Sequence, residues 1–353
     1  MATSQRMSQM KTTMYFFALL LFVLFTSNGV AQSFKSNVSK KGTTAAPFLS
    51  ISQGAKGIAM GGAYVAVAHD ASAIFWNPAG ISDIYGGSLV VDHTQWLAGI
   101  NYNFIAGTYA VGDIGTIGLS FTSSDIDEMR VTTVEMPDGN GETFAVTDIA
   151  VSVAYALKLT DKFSIGFNPK FIHQKIWKMS ASAFAIDVGV KYETPFDGVM
   201  LGMSISNFGQ KMQMQGKSSL VLFDQDLNSS GNNGRIPANL ATDEWALPLN
   251  FKFGIAYTAL KDDVSKLMIA VDASHPSDDY ESVDVGAEYI FYDFIALRGG
   301  YKSLFLSESE TGLTLGVGVM QAIVGGMQVS FDYAYQDFGR LKEIQKFSVG
   351  LNF

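Results

Sequence analysis

The run Lys346-Phe347-Ser348-Val349-Gly350-Leu351-Asn352-Phe353 closes the chain, with every odd position apolar and every even one polar or glycine. A period of two sends successive side chains to opposite faces of a β-strand. A strand with one face in lipid and the other in a polar lumen needs that alternation.

The same pattern recurs along the chain near 88–96, 100–110, 114–123, 145–158, 162–176, 181–194, 199–207, 249–259, 265–274, 281–291, 294–302, 312–321, 326–336 and 344–353. These segments predict an all-β fold, a 14-stranded antiparallel transmembrane β-barrel. In such barrels the periplasmic turns are short and the outer loops longer, and both ends of an even barrel lie on the periplasmic side. Every second connection is indeed brief, at 111–113, 159–161, 195–198, 260–264, 292–293 and 322–325, whereas the long ones, 124–144 and 208–248, fall among the odd-numbered connections. Phe163, Ile165, Phe167 and Phe171 alternate with Ser164, Gly166 and Asn168, so the first set is expected to face lipid. Tyr192, Tyr257, Tyr289 and Tyr301 fall near strand ends, where an aromatic girdle belongs. A soluble β-sandwich shares the alternation but not the long uniform strands.

The composition agrees. Aromatic residues make up 12%, with 35 Gly, 8 Pro and no Cys, which excludes a disulfide scaffold and a Cys-based metal site. Arg6 and Lys11 precede an apolar run from Met14 to Phe25 and a small-residue site at Gly29-Val30-Ala31. That is the layout of a secretory leader cut after Ala31. Without its two basic residues the charge moves from −9 to −11, which disfavours a nucleic-acid partner. The expected layout is a signal peptide at 1–31, a hatch or plug segment at 32–87 and the barrel at 88–353.

In 32–87 the alternation stops and small residues crowd, among them Gly54, Gly57, Gly61, Gly62, Ala66, Ala71 and Ala73. Asp70 can cap a short helix, and Asn77 before Pro78 reads as an N-cap with proline at the first helical position. The string 48–80 contains Met60-Gly61-Gly62-Ala63, Asp70-Ala71-Ser72-Ala73 and Trp76-Asn77-Pro78-Ala79-Gly80. It resembles the amino-terminal signature of the PorV/PorQ family, a branch of the FadL-type outer-membrane transporters. The terminal Phe353 likewise resembles the signal read by the barrel assembly machinery.

The resemblance implies that Gly61, Gly62, Asp70, Trp76, Asn77, Pro78 and Ala79 belong to a hatch in the lumen of a bacterial outer-membrane barrel embedded in outer-membrane lipid. It implies one of two functions. PorV-like members are accessory proteins of type IX secretion that bind the sorting domains of exported proteins, whereas FadL-like members admit hydrophobic small molecules. The lumen separates the two, because uptake needs an apolar pocket running from mouth to hatch and docking needs only exposed loop surface.

No motif for catalysis or a cofactor stands out, and His69, His93, His173 and His275 are scattered without ligand spacing, so we expect neither enzyme activity nor a metal or cofactor. Charges at inward positions are more informative. Counting symmetrically outward from each hairpin turn pairs Glu288 with Arg298, Asp284 with Lys302, Lys252 with Asp272, Lys170 with Asp187 and Asp332 with Lys346. These five are expected to line the lumen as neutralising ion pairs; the other reading makes them a selective polar channel. In the long loop 208–248, Leu220, Val221, Leu222 and Phe223 form an apolar island. That island is a candidate contact for a secreted partner or a lid, unless it folds back onto the barrel mouth.

Overall fold

In the computed structural model the alternating segments become fourteen long strands. They are β1 (Gly87–Gln95), β2 (Asn101–Ala110), β3 (Thr116–Asp125), β4 (Val146–Thr160), β5 (Phe163–Ile176), β6 (Met179–Glu193) and β7 (Val199–Gly209), followed by β8 (Asn250–Lys261), β9 (Ser265–Pro276), β10 (Ser282–Phe291), β11 (Ile295–Leu304), β12 (Leu313–Ala322), β13 (Gln328–Asp337) and β14 (Glu343–Asn352). Residues 40–225, 235–306, 309–323 and 325–353 are described, all within one compact unit, Lys40–Phe353. The leader at 1–31, the first residues of the segment beginning at 32, and the loop stretch 226–234 lie outside them.

Each strand pairs antiparallel with its neighbours in sequence, and β1 closes on β14 with Ser88 opposite Asn352 and Gln95 opposite Gln345. Closure leaves no strand edge inside lipid, which is why a sheet can cross a bilayer at all. Parity is as the sequence predicts: Phe167, Phe171 and Phe331 are exposed on the outer face, and Ser164, Asn168 and Asp332 are buried on the inner one. Most strands have 9–12 residues, but β4, β5 and β6 have 15, 14 and 15. About 9–11 residues suffice to cross, so these three are long enough to extend beyond the bilayer.

The segment before β1 runs the length of the inner face. It begins at the end that carries the long connections, where Ala45 N–H donates to Ala246 O (2.8 Å), Thr44 Oγ1 donates to Asp278 (2.8 Å) and Ala46 N–H donates to Gln174 Oε1 (3.0 Å). It ends beside the other rim, where Gly87 N–H donates to Phe353 O (2.7 Å). Between these points lie two short helices, α1 (Ala55–Ala59) and α2 (Ala73–Trp76), and a 3-10 turn Pro78–Asp83. Almost all of its side chains from Ala46 to Ile84 are buried.

Candidate functional site

The inner face is built to receive that segment. Gly189, Gly202, Gly286 and Gly300 stand at inward positions of β6, β7, β10 and β11. A Cβ on them would lie 2.0 Å from Asn77 Oδ1, 2.6 Å from Val65 O, 2.2 Å from Met60 O and 2.4 Å from Gly61 N. Only an absent side chain lets the segment, through its backbone or, at Gly189, through the Asn77 side chain, approach the wall this closely. Gly61 and Gly62 answer from the other side, with φ of 69° and 92°.

Asn77 is fully buried and bonds both the segment and the wall. Its Oδ1 accepts from Ala79 N–H (3.1 Å), the N-cap bond expected ahead of Pro78, and its Nδ2 donates to Val65 O (2.9 Å) and to Val190 O of β6 (3.0 Å). Trp76 donates from Nε1 to Gln53 O (2.7 Å) and packs edge-on against Tyr64 and Phe75. Such pairs add about 0.5–1.5 kcal/mol beyond burial. Asp70 accepts from Ser72 N–H (3.0 Å) just before α2 and pairs with Lys56 (2.9 Å). Burial alone would raise the Asp70 carboxyl, but the charges of Lys56 and His69 and the Ser72 hydroxyl hold it well below the usual carboxylate range. Burial would lower Lys56, and Asp70 and Asp332 outweigh it and hold the ammonium above its ordinary value.

Of the five expected lumen pairs, the structure forms two and rearranges three. Glu288 and Arg298 stand opposite each other and bond at 2.7 Å. Lys170 meets Asp187 at 2.8 Å, although the register sets Lys170 opposite Ala185, so the pair is diagonal. Lys252 does not pair with Asp272. The hairpin closes later than a count centred on residue 262 assumes, with Lys261 opposite Lys266, and after the bulge between Thr258 and Leu260 Asp272 stands opposite Gly254, where its Oδ2 accepts from Tyr64 N–H (2.8 Å) and Val65 N–H (2.9 Å) of the segment. Lys252 instead lies 4.9 Å above the Trp76 ring.

Asp284 does not pair with Lys302 either, because a second bulge between Val283 and Val285 carries Ser303 N–H onto Asp284 Oδ1 (2.8 Å). Lys302 reaches Ser52 Oγ (3.4 Å). Asp332 faces Ser348 rather than Lys346 across β13 and β14, bonds Arg298 (2.7 Å) and lies 4.0 Å from the Lys56 ammonium. Lys346 turns across the closing seam to Asp92 (3.3 Å). All ten side chains keep the inward parity, and what changed are their partners.

Several contributors went unread. Asp92 accepts from Gly54 N–H (3.1 Å) and, with Ser348, holds the start of α1; Asp83 bonds Lys191 (2.6 Å) and Lys158 (2.9 Å). The seam between β14 and β1 has no turn to count from, so its pairing was invisible. The inward strand glycines are legible by parity.

Beside the segment, the cavities lined by its residues are small. The two best-formed cavities hold about 30 and 10 Å³. Ligand pockets usually need about 300–1,000 Å³, and 30 Å³ is room for roughly one water. At the mouth the contrast is complete. Leu220–Phe223 pairs with Ile236–Asn239 as a separate hairpin, and its four side chains are 52, 36, 64 and 53% exposed. Its root is anchored by Gln215–Gly216, which adds to β6 opposite Ser180 and Met179, and by buried Met212 and Leu247. The island therefore does not fold back onto the mouth.

These features define an outer-membrane β-barrel with a small-residue segment packed along its inner face. Solved structures with this fold include the CymD monoaromatic hydrocarbon channel (TM-score 0.55, 12% identity, 86% of this chain and 98% of that one). They also include the Ralstonia pickettii toluene transporter TbuX (0.52, 13%, 84% and 96%) and a Pseudomonas aeruginosa FadL homologue (0.50, 13%, 85% and 97%). At such identities the likeness shows the fold. No curated protein matches. Residues 34–276 match the family described as Type IX secretion system protein PorV, and the chain belongs to that family.

Proposed function

We propose that this protein serves type IX secretion as a non-enzymatic docking barrel, capturing exported proteins at its outer mouth through the Leu220–Phe223 hairpin. The observation that carries this reading is an apolar hairpin held exposed on an anchored root, since patches of this kind mark contact sites. Residues 1–31 act as a cleaved leader, and β14 with Phe353 is handed to the barrel assembly machinery. The segment up to residue 87 acts as a hatch that stays closed while a partner is held.

Replacing Leu220, Val221, Leu222 and Phe223 together with Ser is expected to abolish recovery of secreted proteins with the purified barrel, while leaving it folded and heat-modifiable. Unchanged recovery would reject the hairpin as the contact. A second reading, uptake of a hydrophobic small molecule, is supported by the fold shared with hydrocarbon channels. It requires the hatch to leave or rearrange, because the cavities beside it are too small for such a ligand.

A further inference from the structure

The outer face of β4–β6 changes chemistry in register. Val151, Phe171 and Phe184 stand side by side as one apolar row. One step toward the long loops the row is Ile149, His173 and Ser182, and the next is Thr147, Lys175 and Ser180, continued by Gln215. Each step is about 6.6 Å along the strand. Apolar side chains thus give way to polar ones within two steps, which marks the upper edge of the lipid band. Phe171 and Phe184 also pack ring against ring at 5.2 Å, giving that edge a rigid aromatic sill.

Above the sill the sector carries four lysines, with Glu244 opposite Gln213 at its margin. Lys175 lies on the outward row, and Lys178 crowns the turn between β5 and β6 with its Nζ 4.3 Å over the Trp177 ring. Lys217 N–H donates to Lys178 O (3.1 Å), and Lys211 follows Gln210, whose N–H donates to Phe184 O (3.0 Å). All four lysines are exposed, and among the described residues none lies within 4 Å of a carboxylate. The chain as a whole carries −9, and the corresponding ends of β3, β13 and β14 present Asp125, Asp337 and Glu343. Four cations that make no ion pair among the described residues, gathered just above the apolar band on one sector of an acidic protein, complement anions lying in a membrane surface.

We propose that Lys175, Lys178, Lys211 and Lys217 form a basic rim that binds the phosphate groups of an anionic outer-leaflet glycolipid, with Phe171 and Phe184 against its acyl chains. The rim fixes which side of the barrel carries an ordered lipid, and it lies beside the root of the exposed hairpin. The proposal does not depend on what the hairpin captures.

The test uses the full-length barrel purified in neutral detergent, challenged with lipid A and examined by native mass spectrometry. Wild type is expected to retain lipid A. The variant with all four lysines changed to Gln should retain at least about tenfold less, with an unaltered heat shift on a gel, whereas the four-Arg variant should retain it. Dephosphorylated lipid A should be lost from wild type. Equal retention by wild type and the Gln variant, or equal retention of dephosphorylated lipid, would overturn the proposal. Displacement of lipid A by inorganic phosphate or by an acidic peptide at equal concentration would overturn the assignment to a lipid.

Discussion

The lumen and the mouth of this barrel are made from the same apolar and small residues, and they differ in what has been satisfied. In the lumen, Asn77 and Asp92 find partners on both the wall and the segment, Asp70 within the segment and Arg298 within the wall, and the wall glycines let the two backbones approach closely. At the mouth, four apolar side chains in a row face solvent on a hairpin anchored only at its root. A region whose polar groups are mostly paired supplies stability. A region that holds its apolar surface in the open is free to bind, and the proposed function places the work of the protein there.

The largest effect expected in the lumen comes from Arg298, which is shared by Glu288 and Asp332 at 2.7 Å each. Arg298→Met strands two buried carboxylates and should cost on the order of 3–5 kcal/mol, seen as a large drop in the unfolding midpoint in detergent. An unchanged midpoint would mean that the buried charges do not hold the wall.

Gly286→Val comes next. Its side chain must displace Met60 O, which a Cβ would approach to 2.2 Å, at the upper end of the roughly 1–3 kcal/mol that overpacking costs. We expect the barrel to form with Lys56 newly open to trypsin and with raised conductance in a planar bilayer, while partner capture persists. Loss of capture together with protection would join the two regions that the comparison separates.

Asn77→Ala removes one cap bond and two bonds to carbonyls and is expected to cost about 1–2 kcal/mol locally, read as a smaller rise in conductance.

Acid and base should matter least near neutrality. Asp70 is held low, so its contribution is present above the ordinary carboxylate value and fades as pH falls through its folded value; Lys56 is held high, so its contribution fades only as pH rises past its folded value. The contribution of this pair to the segment's protection from trypsin should therefore be flat from roughly pH 5 to 9, read as a constant difference between wild type and Asp70→Asn; a difference that changes inside that window would point away from this pair.

How much of this was legible follows from the physics of each signal. Alternation is local, so all fourteen strands and their facing could be read, from Phe163 against Ser164 to the final run ending at Phe353. The Asn77-Pro78 cap is local too, and it appears as expected. Pairing is not local: the hairpin closes with Lys261 opposite Lys266 rather than around residue 262, a bulge follows between Thr258 and Leu260, and Asp272 ends opposite Gly254, none of which the composition of that turn announces. Counting within hairpins also could not see Asp92 across the closing seam, nor the backbone N–H groups of Tyr64 and Val65 that compete for Asp272.

The central claim is that partners engage the mouth while the lumen stays shut. Site-specific photo-crosslinking in intact cells tests it most directly, with the reactive group placed at Leu222 on the hairpin and, in parallel, at Phe104 in the lumen. The account predicts protein adducts from exported proteins at Leu222, and at Phe104 only links within the chain. Small-molecule adducts at Phe104 with no protein adduct at Leu222 would contradict it.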